Sequence, residues 1–247
     1  ISVLIMPDFW NCYKNNEPYP LVNPRNGKVV KTVDPKILFD KIVYQAWESA
    51  EPGVIFFDTV NNYNPFYEHL GPIVTTNPCG EVLLYPNEPC NLGSINVWAF
   101  AKEDENGNVY YDWNGLKDAI FSCTRFLDNV IDINNFPLKQ IEEMSLATRK
   151  IGLGVMGVGD LLYELRIAYN TEEGRKFMEK LMQFVEYYSK VESIELSKKR
   201  GILPYYNKSF YKEGRMPVRG FELENEWDFD WDKISEDTRR YGIRNGY

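Results

Sequence analysis

The chain has 247 residues, a formal net charge of −8 and a hydrophobic fraction of 44%. This length suffices for one large domain or two ordinary ones with a substantial core. The acidic balance argues against a nucleic-acid surface, which requires a basic face, and no apolar run has membrane-spanning length or the form of a signal peptide. The composition therefore predicts a globular protein of the cytoplasm that binds neither nucleic acid nor a membrane.

The cysteines and the histidine limit the metal and redox chemistry of the chain. Four cysteines are too few and too scattered for a secreted disulfide framework: Cys12, Cys79, Cys90 and Cys123. None belongs to a CxxC pair, which disfavours a structural zinc site. His69 is the only histidine, so a multi-histidine metal site is excluded and a nucleophile–histidine–acid triad is disfavoured. We expect a reducing, cytosolic setting and no metal site.

The first third of the chain reads as short strands around one helix. The opening run ISVLIM predicts a buried strand over residues 1–6. A helix is predicted to begin at Pro35, with Asp34 as its N-cap. Apolar residues recur along it at helical spacing: Leu38, Ile42 and Trp47. Residues 54–57 form an apolar run typical of a buried strand, and residues 61–80, rich in Asn, Pro and Gly, predict a loop.

The rest of the chain alternates one strand with long helices. Residues 92–100 predict a strand, and an amphipathic helix follows it. The apolar stripe of that helix comprises Leu116, Ile120, Cys123, Leu127 and Val130 or Ile131. The longest helix is predicted over residues 171–200, and a short one over residues 231–241. Short strands separated by long helices predict an α/β architecture rather than a bundle or a sandwich.

A glycine-rich segment at residues 152–157, GLGVMG, matches the GxGxxG pattern of dinucleotide-binding loops. The mechanism of that loop requires a buried strand directly before it and an acidic strand end about 20 residues later. Residues 146–150 instead read as helical and basic, and no such strand end follows. We therefore interpret the glycines as a backbone turn or as close helix packing, and expect no dinucleotide site.

The stretch TNPCGE places a thiol between an amide and a carboxylate. In an extended chain successive side chains alternate between faces, so Asn77, Cys79 and Glu81 would point the same way. Pro78 restricts the backbone, and Gly80 removes a side chain that would crowd an approaching group. The prediction is a polar row of amide, thiol and carboxylate on an extended loop.

The row has a functional and an ordinary interpretation. Glu81 could accept a proton from a substrate hydroxyl, and Asn77 could orient a second hydroxyl. Cys90 supplies another thiol eleven residues after Cys79. Two thiols and a carboxylate suit either thiol–disulfide chemistry or radical chemistry at sulfur. The ordinary alternative is a turn whose cysteine has no role.

Three segments taken together resemble the catalytic chain of ribonucleotide reductases, and the adenosylcobalamin-dependent class most of all. They are NPCGE at residues 77–81, PCNLGSIN at residues 89–96 and RKIGLGVMG at residues 149–157. The similarity runs in order over almost the whole chain, and the combination is specific where each motif alone is weak. The nearest rival is the oxygen-dependent class, which takes its radical from a separate metal subunit. A non-catalytic module that keeps the fold and binds a nucleotide or a partner chain is the alternative of a different class.

The resemblance implies a fold and a place in a longer protein. The fold would be a ten-stranded α/β barrel whose central finger loop carries the catalytic cysteine. Residues 1–247 would be the central part of that barrel domain, without its upstream and downstream strands. The redox partner of Cys90 and the phosphate-binding loop are expected outside this segment, so the segment alone is expected to be inactive.

The resemblance also implies roles for individual residues. Cys79 would become the thiyl radical that abstracts the 3′-hydrogen of the ribose. Glu81 would be the base on the 3′-hydroxyl, and Asn77 would hydrogen-bond the hydroxyl groups of the substrate. Pro78 and Gly80 complete the substrate-binding stretch. Cys90 would be one of the two thiols that reduce the substrate and end as a disulfide.

The implied cofactor is adenosylcobalamin, because no side chain makes the first radical unaided. No residue of the sequence is identifiable as a cobalamin contact. The implied partners are a ribonucleotide (taken to be a diphosphate), the remainder of the reductase chain, a dithiol reductant such as a thioredoxin-like protein, and a second copy in a homodimer. The implied products are 2′-deoxyribonucleotides for DNA synthesis.

Overall fold

The computed structural model describes residues 1–89, 91–216 and 229–247. The chain divides into two compact units, Ile1–Pro86 and Asn87–Tyr247. Each unit contains a pair of parallel strands connected through helices, which is the arrangement of an α/β protein. The predicted α/β class is therefore confirmed.

The first unit is built on a parallel pair of strands, in which Ser2 lies opposite Gly53 and Ile5 opposite Phe56. The elements of this unit, in chain order, are β1 (Ser2–Ile5), α1 (Pro7–Asn15), β2 (Tyr19–Val22), β3 (Val29–Val33), α2 (Pro35–Ser49), β4 (Gly53–Phe56), α3 (Phe57–Asn62), α4 (Tyr67–Leu70), β5 (Thr75–Thr76) and β6 (Leu83–Leu84). The hairpins β2–β3 and β5–β6 are antiparallel. Both predicted strands exist, but β4 is largely exposed and only Ile5 of β1 is buried, since within the described residues the sheet has two strands.

Helix α2 begins where the sequence predicts, because the Asp34 carboxylate accepts the N–H of Lys36 at 2.9 Å. Its predicted apolar stripe is not buried: Trp47 is 79% exposed and Leu38 is 36% exposed. The helix contacts α1 through Phe39, whose ring lies 5.7 Å from that of Trp10. The face that packs is thus one position away from the predicted stripe.

The second unit holds the other parallel pair, in which Asn91 lies opposite Ile151 and Asn96 opposite Met156. Its elements are β7 (Asn91–Asn96), β8 (Ala101–Glu103), β9 (Val109–Tyr111), α5 (Trp113–Ile133), α6 (Lys139–Thr148), β10 (Ile151–Met156), α7 (Val158–Glu164), α8 (Glu172–Arg200) and α9 (Trp231–Tyr241). The predicted strand over 92–100 is shorter than expected, because Val97–Phe100 form a 3-10 turn. The predictions of α8 and α9 are confirmed.

The core of the second unit lies between α5 and β10. Leu127 and Ile131 of α5 are 1% and 4% exposed and contact Ile151 of β10. Burying a Leu or Ile side chain stabilises a fold by about 1.5–3 kcal/mol, so this contact holds the helix on the sheet. The predicted stripe of α5 is correct in these positions, whereas Cys123 is only half-buried.

The glycine-rich segment forms strand β10 and the turn after it. Gly152 and Gly154 lie inside the strand and pair with β7. Gly157 caps α7 with φ +76°, in the left-handed region that favours glycine. A dinucleotide loop needs its glycines in the turn between strand and helix, and here only Gly157 lies in that turn. The predicted backbone turn is found at Gly157, whereas Gly152 and Gly154 lie in a strand and not in the predicted close helix packing. Among the described helices, none has both the length and the hydropathy to cross a membrane.

Candidate active site

The TNPCGE stretch forms the tip of a hairpin. Strands β5 and β6 pair antiparallel, and the Gly80 N–H donates to the Asn77 carbonyl at 3.1 Å. This bond closes a β-turn with Pro78 and Cys79 at its two central positions. The predicted extended row with three side chains on one face is therefore wrong, because the chain reverses direction between Asn77 and Gly80. The sequence signal for this was the order Asn, Pro, Cys, Gly, which is typical of a turn.

Local residue chemistry fixes this turn. Pro78 presets φ at the first central position, and Gly80 has φ +83°, where a side chain would be strained. The Asn77 side chain adds a third constraint, since its Oδ1 accepts the N–H of Val82 at 3.0 Å. The Thr76 hydroxyl donates to the Asn77 carbonyl at 2.8 Å. The turn is thus held by both backbone and side-chain hydrogen bonds.

The turn presents a thiol and a carboxylate to the outside. Cys79 and Glu81 are exposed, whereas Asn77 is half-buried beneath them. Cys79 is a free thiol in the part of the chain that the structure describes. An exposed thiol on a fixed turn, with a carboxylate two residues away, can exchange a hydrogen atom, a proton or a disulfide with a ligand that docks there.

A cleft of about 400 Å³ lies beside the turn, between β1, β4 and Thr75–Pro78. Its lining side chains are aliphatic, hydroxyl and amide groups. Ser2 lies close to the turn, because a Cβ on Gly80 would sit 3.7 Å from the Ser2 hydroxyl oxygen. Such a lining suits an uncharged part of a small molecule better than a phosphate group.

Cys90 lies outside the described residues, so its place relative to other groups stays a prediction. The residues on either side of it in the sequence are firmly held within the second unit. Glu88 pairs with Lys150 at 2.8 Å, with both side chains at most 4% exposed. Asn91 donates from Nδ2 to the Leu127 carbonyl at 2.7 Å. The sequence did not predict this buried ion pair, although a charge next to an apolar strand requires a partner.

A second charged cluster surrounds Asp128 of α5, whose side chain is fully buried. Its carboxylate pairs with Arg149 at 2.6 Å and Arg200 at 2.9 Å, and with Arg244 at 3.2 Å. Burial alone would raise the pKa of Asp128, but the hydrogen bond and charge of Arg149, with the charge of Arg244, hold that pKa below its ordinary value. The cluster fastens α5, α8 and the segments at 149 and 244 to one another.

The described part of the chain was also compared with what a metal site requires. No group of three or more His, Cys, Asp or Glu side chains is arranged there to hold an ion.

Comparison with known proteins identifies this arrangement. An exposed thiol on a fixed turn is a group that enzymes with thiol or radical chemistry can use. The model of the ribonucleotide reductase barrel domain matches residues 1–247, so the chain belongs to that family and the predicted resemblance is confirmed.

Three curated relatives show how far the similarity extends. The chain is 42% identical to the vitamin B12-dependent ribonucleoside-diphosphate reductase of Thermoplasma acidophilum, over 87% of this chain and 27% of that protein. It is 41% identical to the protein of the same name from Mycobacterium tuberculosis, over 85% of this chain and 29% of that protein. It is 32% identical to the ribonucleoside-diphosphate reductase subunit alpha of Chlamydia pneumoniae, over 88% of this chain and 22% of that protein. The chain thus spans between a fifth and a third of the length of these relatives.

Proposed function

We propose that this chain carries the substrate-radical site of a ribonucleotide reductase, which converts ribonucleoside diphosphates to 2′-deoxyribonucleotides. The observation that carries the proposal is the exposed Cys79 thiol at the centre of a hydrogen-bonded turn, in a chain that the reductase barrel family matches along its whole length. The names of the relatives support a diphosphate as the substrate.

The proposed chemistry begins at sulfur. Cys79, as a thiyl radical, takes the 3′-hydrogen of the ribose and becomes a thiol, which leaves the radical on the sugar. Glu81 takes the proton of the 3′-hydroxyl, and this general base action assists the loss of the 2′-hydroxyl as water. Two thiols supply the proton that leaves with the 2′-hydroxyl as water and the hydrogen that replaces it at C2′, and they end as a disulfide. Cys90 is one of them, and the second lies outside this chain. Glu81 then returns its proton to the 3′-oxygen, and Cys79 returns the hydrogen to C3′, which restores the thiyl radical.

The turn limits how Asn77 takes part. Its Oδ1 already accepts the Val82 N–H, so its Nδ2 is the atom left to donate to a substrate hydroxyl. Pro78 and Gly80 belong to the same substrate-binding stretch, and the missing side chain of Gly80 leaves room for the ribose. The exposure of Cys79 and Glu81 is what allows a substrate to reach them.

Adenosylcobalamin, when bound, supplies the first radical, which no side chain of the chain can make alone. The relatives named vitamin B12-dependent, at 41–42% identity, support this cofactor. The site fits this cofactor in one respect: the Cys79 thiol is exposed, so a radical source can reach it. We assign no described residue as a cobalamin contact.

Residues 1–247 are, in this proposal, the central part of a ten-stranded α/β barrel domain. The parallel pairs β1–β4 and β7–β10 would be two segments of the barrel, and the β5–β6 hairpin would be its finger loop. The other strands would come from the remainder of a longer reductase chain. A dithiol reductant such as a thioredoxin-like protein, a homodimer partner and a cytoplasmic location complete the proposal, and the isolated segment would be inactive.

Replacement of Cys79 tests the proposal. Cys79→Ala, made in a full-length reductase polypeptide that carries this chain, should abolish deoxyribonucleotide formation, because the hydrogen abstraction has no substitute group. Cys123→Ala is the matched control, since Cys123 is a half-buried cysteine on α5 and should keep nearly full activity. Product formation by the Cys79→Ala protein at the wild-type rate would favour the non-catalytic module instead.

A further inference from the structure

Two asparagines near the end of α3 use every hydrogen-bonding atom of their side chains. Asn61 donates from Nδ2 to the carbonyls of Phe57 at 3.0 Å and Ile73 at 3.2 Å. Its Oδ1 accepts the Ile73 N–H at 2.8 Å and Nδ2 of Asn64 at 3.0 Å. An amide side chain offers two donor hydrogens and two acceptor lone pairs, so Asn61 is saturated.

Asn64 continues the network toward the far side of the hairpin. Its Nδ2 donates to Asn61 and to the Gly71 carbonyl at 3.2 Å. Its Oδ1 accepts the Phe66 N–H at 3.0 Å and the hydroxyl of Tyr85. Asn64 is 3% exposed and Tyr85 is 2% exposed, so water does not compete for these bonds.

The network reaches the chain on both sides of the β5–β6 hairpin. Ile73 lies two residues before β5, and Tyr85 directly follows β6. Each of these strands has only two residues, so the hairpin holds itself with few backbone bonds. Fixing both of its ends to one pair of amides therefore sets where its tip, with Cys79, can lie.

We propose that Asn61, Asn64 and Tyr85 form a hairpin anchor that positions the Cys79 turn for catalysis. The inference rests on the proposed function for its catalytic part. These are positioning residues, since they act through the turn and not on the substrate. A fully satisfied buried polar network stiffens a single conformation, and misplacing reacting groups by about 1 Å can cost on the order of a hundredfold in rate.

The alternative is that Tyr85 matters only as a packed ring. Its ring lies 6.3 Å from that of Phe66, in an edge-to-face contact. Tyr85→Phe keeps this contact and removes only the hydroxyl that binds Asn64. This substitution therefore separates the anchor from ordinary packing.

The test is amide hydrogen exchange at Gly80 and Val82 in the full-length polypeptide. The N–H groups of both residues donate to Asn77 and report on the turn itself. In Tyr85→Phe we expect exchange at these two amides to rise on the order of tenfold, as one hydrogen bond of the anchor is lost. We also expect kcat to fall with little change in KM, since substrate contacts remain.

Tyr206→Phe is the matched control. Tyr206 is 7% exposed, and its hydroxyl donates to the Thr238 carbonyl at 2.6 Å in the second unit. The Tyr206→Phe variant loses a buried tyrosine hydrogen bond that lies away from the hairpin, so amide exchange at Gly80 and Val82 should not change. The anchor proposal would be contradicted if amide exchange at Gly80 and Val82 rose equally in both variants. It would also be contradicted if exchange did not rise in Tyr85→Phe.

A second variant, Asn61→Asp, tests the same proposal in case Tyr85→Phe does not fold. Asn61→Asp keeps the shape and an acceptor oxygen but removes both donors to Phe57 and Ile73, so the same two amides should exchange faster. Unchanged exchange in it would also overturn the anchor. The exchange result does not depend on turnover. If the Cys79→Ala protein were active, the proposed function would be wrong, but the exchange result would still show whether the anchor holds the turn.

Discussion

At the scale of single residues, Asn77 joins the conformation of the turn to its chemistry. The backbone N–H and carbonyl of Asn77 bind Val82 and Gly80, and its side-chain oxygen binds Val82 again. One residue thus determines how Cys79 is presented. Its remaining donor, Nδ2, is available to a substrate.

Asn77→Asp should separate these two contributions. The carboxylate keeps an acceptor for the Val82 N–H, so hydrogen exchange at Val82 should stay slow. It lacks the amide donor, so kcat/KM should fall by about tenfold or more, the usual effect of one lost hydrogen bond. Asn77→Ala, as a comparison, should lose both the protection of Val82 and the activity. Full activity in the Asp variant would show that Nδ2 makes no contact with substrate.

The identity of the site residues stays a prediction, whereas the geometry that the sequence predicted for them is wrong. The sequence drew attention to Cys79, Glu81 and Asn77, because their types and spacing suit radical or thiol chemistry. It assumed an extended chain, while Pro78 and Gly80 favour a turn, and the turn is what the structure contains. The proposed hairpin anchor could not be predicted, since Asn64 and Tyr85 lie 21 residues apart and meet only in the folded chain.

At the scale of elements, helix positions were predictable where local signals were strong. The prediction of a helix over residues 171–200 located α8, and the apolar stripe predicted before it located α5. The buried face of α2 was not predictable, because it depends on which ring of α1 it meets. Buried charge was missed for the same reason, as Asp128 and Arg244 are distant in sequence.

Asp128→Asn should destabilise the second unit strongly. It leaves three arginines without their shared carboxylate, and removing one partner of a buried ion pair costs about 3–5 kcal/mol. Urea unfolding of the full-length polypeptide measures this loss. Asp132→Asn is the comparison, because Asp132 is 41% exposed and its ion pairs should contribute about 1 kcal/mol or less. Equal losses in both variants would contradict this account.

The same ion pairs predict a pH dependence. The folded-state pKa of Asp128 lies below its unfolded value, so the stabilisation is complete above the unfolded pKa and is lost as pH falls through the folded pKa. The stability difference between wild type and Asp128→Asn should therefore be constant near neutrality and shrink below about pH 4. A difference that grows on acidification would have the wrong sign.

At the scale of the whole molecule, the chain corresponds to only a part of the relatives that it matches. It spans 27% of the relative from Thermoplasma acidophilum and 22% of that from Chlamydia pneumoniae. In the proposed mechanism the second reducing thiol and the radical source both come from outside these residues. What the chain supplies is the turn that carries Cys79 and Glu81, together with the buried contacts that hold it.

The radical source is the property that most separates the two reductase classes. The relatives at 41–42% identity are named vitamin B12-dependent, and the Chlamydia pneumoniae relative at 32% is named a subunit alpha. We therefore expect the full-length polypeptide to form deoxyribonucleotide with adenosylcobalamin and a dithiol, without any metal-containing subunit. The control omits only adenosylcobalamin and should give no product. Activity that appears only on adding a metal-containing partner would keep the thiyl chemistry at Cys79 and assign the chain to the oxygen-dependent class.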